Sequence, residues 1–242
     1  MDIVAPNPYF HGCSFDADGK DLLFNESCLN TMNRKNIKYD YIITSPPDAD
    51  ELEDKSWDNW YDLMNQTFEK IDPSLKTITI ILRDRKMNGK VNIKHYTIIN
   101  ILHKFDWILK SQKIWVRSFK ANLYRFNYSF ILTFKRKGAK KAPGKELSIP
   151  DAIYSEIKPI EGYVDNYPTE LVKTFIECYT NKREVVYDPF MGVGSTAVAS
   201  INSGRQWIGS EILPDIYTIA KNRISKAYNG IVYIKALTHT YW

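Results

Sequence analysis

The chain is short of cysteine, has no long apolar run and shows no metal-binding pattern. Its three cysteines, Cys13, Cys28 and Cys178, are odd in number and widely spaced. They offer neither a disulfide framework nor a zinc site, and they fit a reducing compartment. His11, His95, His103 and His239 stand in no grouping with them at metal-ligand spacing. No stretch approaches the length that crosses a membrane, and MDIVAPNPYF lacks a basic start followed by an apolar segment. A cytoplasmic or otherwise intracellular protein with no membrane partner is the expectation. Internal repeats and low-complexity tracts are absent. The 33 Lys and Arg against 28 Asp and Glu leave a net charge of +5, too mild to assign a polyanion partner by itself. What is present is enough apolar material, 44% of 242 residues, for one large α/β domain.

The pattern alternates strand and helix. Lys38 to Thr44 reads as a buried strand stopped by Pro46-Pro47. A helical stripe then runs from Trp57 to Ile71 and ends at Asp72-Pro73. Thr77 to Leu82 reads as a strand, Asn88-Gly89 as a turn, Ile93 to Phe105 as a helix, and Trp107 to Val116 and Tyr128 to Phe134 as strands. This order implies parallel βαβ units. Between Lys135 and Tyr167 the rhythm breaks into a loop or insert punctuated by Pro143, Pro150 and Pro159. It resumes with a helix over Glu170–Tyr179, strand Glu184–Tyr187, helix Ser195–Asn202, strand Gln206–Ser210, helix Asp215–Tyr228 and a last strand Val232–Lys235.

The most informative stretch is Tyr187-Asp188-Pro189-Phe190-Met191-Gly192-Val193-Gly194-Ser195-Thr196-Ala197, between a strand and a helix. Gly192 and Gly194 permit a tight turn and close backbone approach to a ligand, and the following helix presents free N–H groups there. Glu211 stands at the end of the next strand, where a carboxylate can accept from two ribose hydroxyls. Together they indicate an adenosine-type ligand. The spacing Gly192, Gly194, Ala197 also satisfies the pattern of nicotinamide dinucleotide enzymes. Asp188-Pro189-Phe190 separates the two, since a proline and an aromatic before the glycines suit a ligand without a pyrophosphate. This motif resembles the cofactor loop of S-adenosylmethionine-dependent DNA amino-methyltransferases.

A second element, Thr44-Ser45-Pro46-Pro47, lies at the carboxyl end of the first strand, where ligands bind in open α/β sheets. Consecutive prolines fix the backbone, so the Ser45 side chain and the Pro46 carbonyl can serve as rigid paired acceptors. Two acceptors on the hydrogens of a base amino group favour a pyramidal nitrogen and expose its lone pair. No cysteine follows the prolines, so a thiolate mechanism on a ring carbon has no nucleophile there.

With both elements in this order, the chain resembles a β-group DNA amino-methyltransferase acting on cytosine N4 or adenine N6. The resemblance covers nearly all of it, from Leu22 to Leu29 through Arg83 to Gly89, Ile114-Trp115 and Tyr167-Pro168-Thr169-Glu170-Leu171 to Gly204–Gly209. It implies a doubly wound, mostly parallel Rossmann-like methyltransferase sheet with helices on both faces. Within this single domain a base half runs from about 22 to 134, a short insert from about 135 to 166 and a cofactor half from about 167 to 230. It also implies S-adenosyl-L-methionine as cofactor, held by Asp188, Phe190, Gly192, Gly194, Ser195, Thr196, Glu211, Pro168, Thr169 and Ser27, with Ser45, Pro46, Pro47 and Asp48 at the reacting base. The partner is DNA, with the target nucleotide flipped from the duplex.

One residue departs from the family pattern. The aromatic expected after the prolines, which stacks on the base, is Asp48 here. Trp57, Trp60 or Tyr9 would then supply the stacking face, Asp48 would bond a base edge, or the chain would be a DNA-binding or regulatory subunit without activity. The phosphate contacts are expected from Lys135, Arg136, Lys137, Lys140, Lys141 and Lys145, which have no acid among them. Arg117, Lys120 and Arg125, interleaved with Phe119, Tyr124 and Phe126, form a second candidate surface. The short insert leaves a relaxed recognition sequence, a homodimer or second subunit, and recognition by other loops as alternatives. A nicotinamide oxidoreductase stays as a third class, although no residue suggests itself as the acid for hydride transfer.

Overall fold

A computed structural model describes residues 21–87, 89–120, 125–140, 148–160 and 166–239, with side chains as far as residue 230 and Met87 excepted. The elements are β1 (Leu22–Phe24), α1 (Cys28–Met32), β2 (Tyr41–Thr44), a 3₁₀ turn (Ala49–Glu51), α2 (Trp57–Glu69), β3 (Thr77–Leu82), β4 (Arg85–Met87), β5 (Lys90–Asn92), α3 (Lys94–Lys104), β6 (Trp107–Val116), β7 (Tyr128–Arg136), β8 (Ala152–Tyr154), α4 (Thr169–Tyr179), β9 (Val185–Asp188), α5 (Ser195–Ser203), β10 (Gln206–Ser210) and α6 (Pro214–His239).

Side chains alternate across the strands and so divide the core in two. Ile42, Ile78 and Ile80 point to a layer with Trp60, Met64 and Phe68 of α2 and Ile98, Ile101 and Leu102 of α3. Tyr41, Ile43 and Ile81 point the other way, to Leu171, Val172, Phe175 and Ile176 of α4. The sheet is therefore buried on both faces, which explains why its central strands are continuous apolar runs. Ser56 starts α2 by accepting the Asn59 N–H at 3.3 Å, a side-chain cap for an otherwise unpaired donor.

The main sheet has eight strands in the order β1-β10-β9-β2-β3-β7-β6-β8. Its central pairs are parallel. The exception is β7, which runs antiparallel to both β3 and β6. The expected βαβ units, β2-α2-β3 and β3-α3-β6, are present with their strands running in one direction; β7 follows β6 with no crossover helix among the described residues and turns the chain back. From β2 the chain proceeds to β3 on one side, and from β9 to β10 on the other. The adjacent ends of β2 and β9 are the topological switch point, where an open α/β sheet leaves a crevice.

Two further expectations are corrected. The insert contributes a strand, β8, paired parallel with β6. The expected strand Val232–Lys235 is instead part of α6. A short β-branched run cannot be told from a helix by composition alone, and one glycine, Gly230, costs a helix only about 1 kcal/mol.

Candidate active site

The loops after β2 and β9 line a single cleft of about 360 Å³ at the switch point. Ser45, Pro46, Pro47 and Asp48 reach it from one side, and Phe190, Gly192, Ser195 and Glu211 from the other. Two segments that sequence reasoning joined only by resemblance are thus brought together. Ser27, which caps α1 by accepting the Leu29 N–H at 3.3 Å, also lines it.

Glu211 closes the cofactor-side loop. One carboxylate oxygen accepts the Gly192 N–H and the other the Leu213 N–H, each at 2.9 Å. Burial raises its pKa, opposed by those backbone bonds. Each oxygen keeps a lone pair for a ligand hydroxyl. Gly192 has φ 54°, a left-handed conformation that favours glycine, and open space at its missing Cβ. Gly194, with φ 84°, is held in the left-handed region too, with Ala220 of α6 at van der Waals distance, 3.4 Å, from where a Cβ would stand.

Asp188 is fully buried and stands behind the cleft rather than lining it. Its Oδ1 accepts from the Thr44 hydroxyl at 2.5 Å and the Phe190 N–H at 3.0 Å. Its Oδ2 accepts from the Tyr167 and Thr196 hydroxyls at 2.8 and 2.6 Å. Burial raises its pKa despite these four donors. Asp188 and Thr196, expected at the cofactor, brace β2, β9, α5 and the segment leading into α4 behind the cleft. Pro168 and Thr169 cap and begin α4; the residues just before them, Asn166 and Tyr167, line the cleft.

The prolines are held from below. The Trp60 indole donates to the Pro47 carbonyl at 2.7 Å, and Trp60 is fully buried. It cannot offer a face to a base, and Trp57 stacks on it at 4.6 Å, outside the cleft lining. The aromatics that line the cleft are Phe190, Tyr167 and Trp115, the last buried beneath the Arg117 guanidinium. Tyr9 and Tyr124 lie outside the described residues.

Asp48 is tied down by two cations. Its Oδ2 pairs with Arg85 Nε at 2.9 Å and its Oδ1 with Lys94 Nζ. Lys94 is 2% exposed and begins α3, where the helix dipole disfavours a cation. A buried cation there requires an anion, and Asp48 provides it. Arg85 also pairs with Asp50. Sequence reasoning missed Arg85 and Lys94, since nothing local to either residue marks it as a partner of Asp48.

The cation run is relocated by the strand register. Lys135 pairs with Thr77, the first residue of β3, and Arg136 with Trp107, the first of β6. Both stand at the end of the sheet remote from Pro46, about 17 Å away along β3. Arg136 donates to the carbonyls of Leu75 and Phe105, at 3.3 and 3.1 Å, and covers the Trp107 ring at 4.3 Å, so it braces the base of the sheet. Lys137 and Lys140 are exposed at that same end, while Lys141 and Lys145 lie outside the described residues. Cys28 has its pKa pushed up to about 11 by burial, and at neutral pH it is an inert thiol. Among the described residues no group of acids, histidines and cysteines could hold a metal, and no helix is long and apolar enough to cross a membrane.

A doubly wound sheet with a glycine loop and acid on one side of the switch point and a rigid Ser-Pro-Pro on the other defines a Rossmann-like methyltransferase. The chain belongs to the N6/N4 methyltransferase family, described as DNA methylase, whose model matches residues 39–222. It is similar to the orphan methyltransferase M.BamHII of Bacillus amyloliquefaciens, 30% identical over 78% of this chain and 64% of that protein. It also resembles the type II methyltransferase M.XycI of Xanthomonas campestris pv. cyanopsidis, 25% identical over 54% of this chain and 49% of that one. The chain thus spans about half to two thirds of these relatives. Among solved structures, the DNA modification methylase TTHA0409 from Thermus thermophilus, in complex with S-adenosyl-L-methionine, superposes with a TM-score of 0.68 at 18% identity, covering 85% of this chain and 93% of that one. The cytosine-N4-specific PvuII DNA methyltransferase gives 0.68 at 16% identity, covering 88% and 93%. At such identities these two establish the fold alone.

Proposed function

We propose that the chain transfers a methyl group from S-adenosyl-L-methionine to the exocyclic amino group of an adenine or cytosine in DNA. The observation that carries the reading is that Ser45-Pro46-Pro47 and the Phe190–Val193 loop with Glu211 line one cleft, as direct transfer between two bound molecules demands. The donor set fits the cofactor: a half-buried carboxylate at Glu211, hydroxyls at Ser27 and Ser195, an aromatic at Phe190 and apolar cover from Ile212 and Leu213. When bound, the cofactor supplies an electrophilic methyl on a sulfonium.

The protein's share is positioning and electrostatics. Glu211 accepts from the ribose hydroxyls with the lone pairs left by Gly192 and Leu213. Ser45 and the Pro46 carbonyl accept the two hydrogens of the base amino group, and Trp60 keeps that turn rigid through Pro47. A base within a duplex does not reach so enclosed a turn, so the target nucleotide is flipped out.

A second reading, a DNA-binding or regulatory subunit without chemistry, draws on Asp48, which is engaged by Arg85 and Lys94 instead of presenting a stacking face. One experiment separates the two. Incubating DNA with the chain and isotopically labelled cofactor, followed by mass spectrometry of the nucleosides, yields labelled N6-methyladenine or N4-methylcytosine on the first reading and no labelled nucleoside on the second. The same spectrum identifies the base.

A further inference from the structure

We infer that the β4–β5 hairpin and the flanks of the β6–β7 connection form one basic and aromatic surface that grips the DNA backbone beside the cleft. This rests on the proposed function for its partner, and on the structure for its location. The hairpin follows directly from the end of β3, next to Arg83 of the cleft wall. Backbone bridging between Arg85 and Arg125 joins the hairpin to the residues entering β7, and the Lys86 ammonium lies 4.7 Å over the Phe126 ring. Two segments far apart in sequence thus make one patch at the cleft end of the sheet.

Cations predominate on this patch, and the acid in direct contact with it, Glu156, accepts from the Tyr154 hydroxyl at 2.7 Å. Lys86, Lys90, Lys120 and Arg125 are exposed there. The nearby acids are engaged elsewhere: Asp84 by His95 at 2.7 Å, Asp48 and Asp50 by Arg85, Glu51 by the Asp48 N–H at 2.7 Å, and Asp54 by the Ser56 N–H at 3.1 Å. Beside the cations, Phe119 and Tyr154 stack on each other at 4.6 Å while remaining 76% and 49% exposed. The register Val116 with Tyr154 sets this pair at the same end of the sheet. Exposed cations with an exposed flat apolar face fit a polyanion that also presents sugars and bases. The run from Lys135 to Lys140, which composition favours, is at the other end.

Three variants of the chain test this, with the protein saturated in S-adenosyl-L-methionine and a fluorescent duplex titrated by anisotropy across a salt series. In Lys86→Gln/Lys90→Gln/Lys120→Gln the expected result is weaker binding and a log K against log salt slope reduced by about 0.9 for each phosphate no longer neutralised, with cofactor affinity by calorimetry unchanged. Lys135→Gln/Lys137→Gln/Lys140→Gln should keep the wild-type slope. Phe119→Ala should weaken binding at unchanged slope, because no charge is removed. If the hairpin variant keeps the wild-type slope while the wild type binds and methylates DNA, this inference is overturned and the function stands. If the wild type binds cofactor but no DNA, both fall.

Discussion

Thr44, the residue before the Ser-Pro-Pro turn, donates its hydroxyl to Asp188 at 2.5 Å and so joins the base-side strand to the cofactor-side strand. The two halves of the cleft are registered by a buried carboxylate that stands behind its lining. Its pKa is raised by burial, so the folded chain holds this proton more tightly than the unfolded chain. Stability from this group is complete below the unfolded value and is lost as pH rises through the folded one, then stays level. Asp188→Asn should remove that falling segment. Thermal melts of wild type and variant over a wide pH series check it: their difference changes as pH rises from the ordinary carboxylate range through the raised folded value and then levels off.

Glu211 also has a burial-raised pKa, with a different consequence, since the ribose hydroxyls need its ionised form as acceptor. Cofactor affinity should fall on acidification at a pH above that of an exposed glutamate. Glu211→Gln should weaken binding about 10- to 100-fold, the cost of replacing a charged acceptor by a neutral one, and flatten that pH dependence. Calorimetry at several pH values measures both effects.

Asp48 is required first by Lys94. Asp48→Ala leaves a buried ammonium at a helix N-terminus without its anion and should cost about 3–5 kcal/mol. Asp48→Ala/Lys94→Met removes both charges and should recover most of that loss. Denaturant unfolding of the two variants gives the comparison; equal destabilisation of single and double variants would show that the ion pair is not what holds the loop.

The strands Thr77–Leu82 and Trp107–Val116 are legible in sequence to the residue, the first as a continuous apolar run buried on both faces and the second as a run in which more and less buried side chains largely alternate. Ser45-Pro46-Pro47 and the Gly192 loop are legible as well, because their backbone is dictated by their own residue types. Lys94 with Asp48, and Tyr167 with Asp188, are not. Such pairs are chosen by how helices pack on the sheet, and neither partner carries a local signature. The place of Lys135 to Lys140 is not legible either, because net charge along a chain says nothing of register. Only the pairing of Lys135 with Thr77 reveals which end of the sheet those cations occupy.

The central claim is that Ser45 acts at the base and Glu211 at the cofactor within one cleft. The direct measurement is transfer of labelled methyl groups to DNA by Ser45→Ala, with cofactor affinity determined on the same preparation. The predicted result is wild-type cofactor affinity and a rate lowered by about 100-fold or more, the scale of losing one transition-state hydrogen bond in a preorganised site. Transfer at the wild-type rate by Ser45→Ala would contradict it.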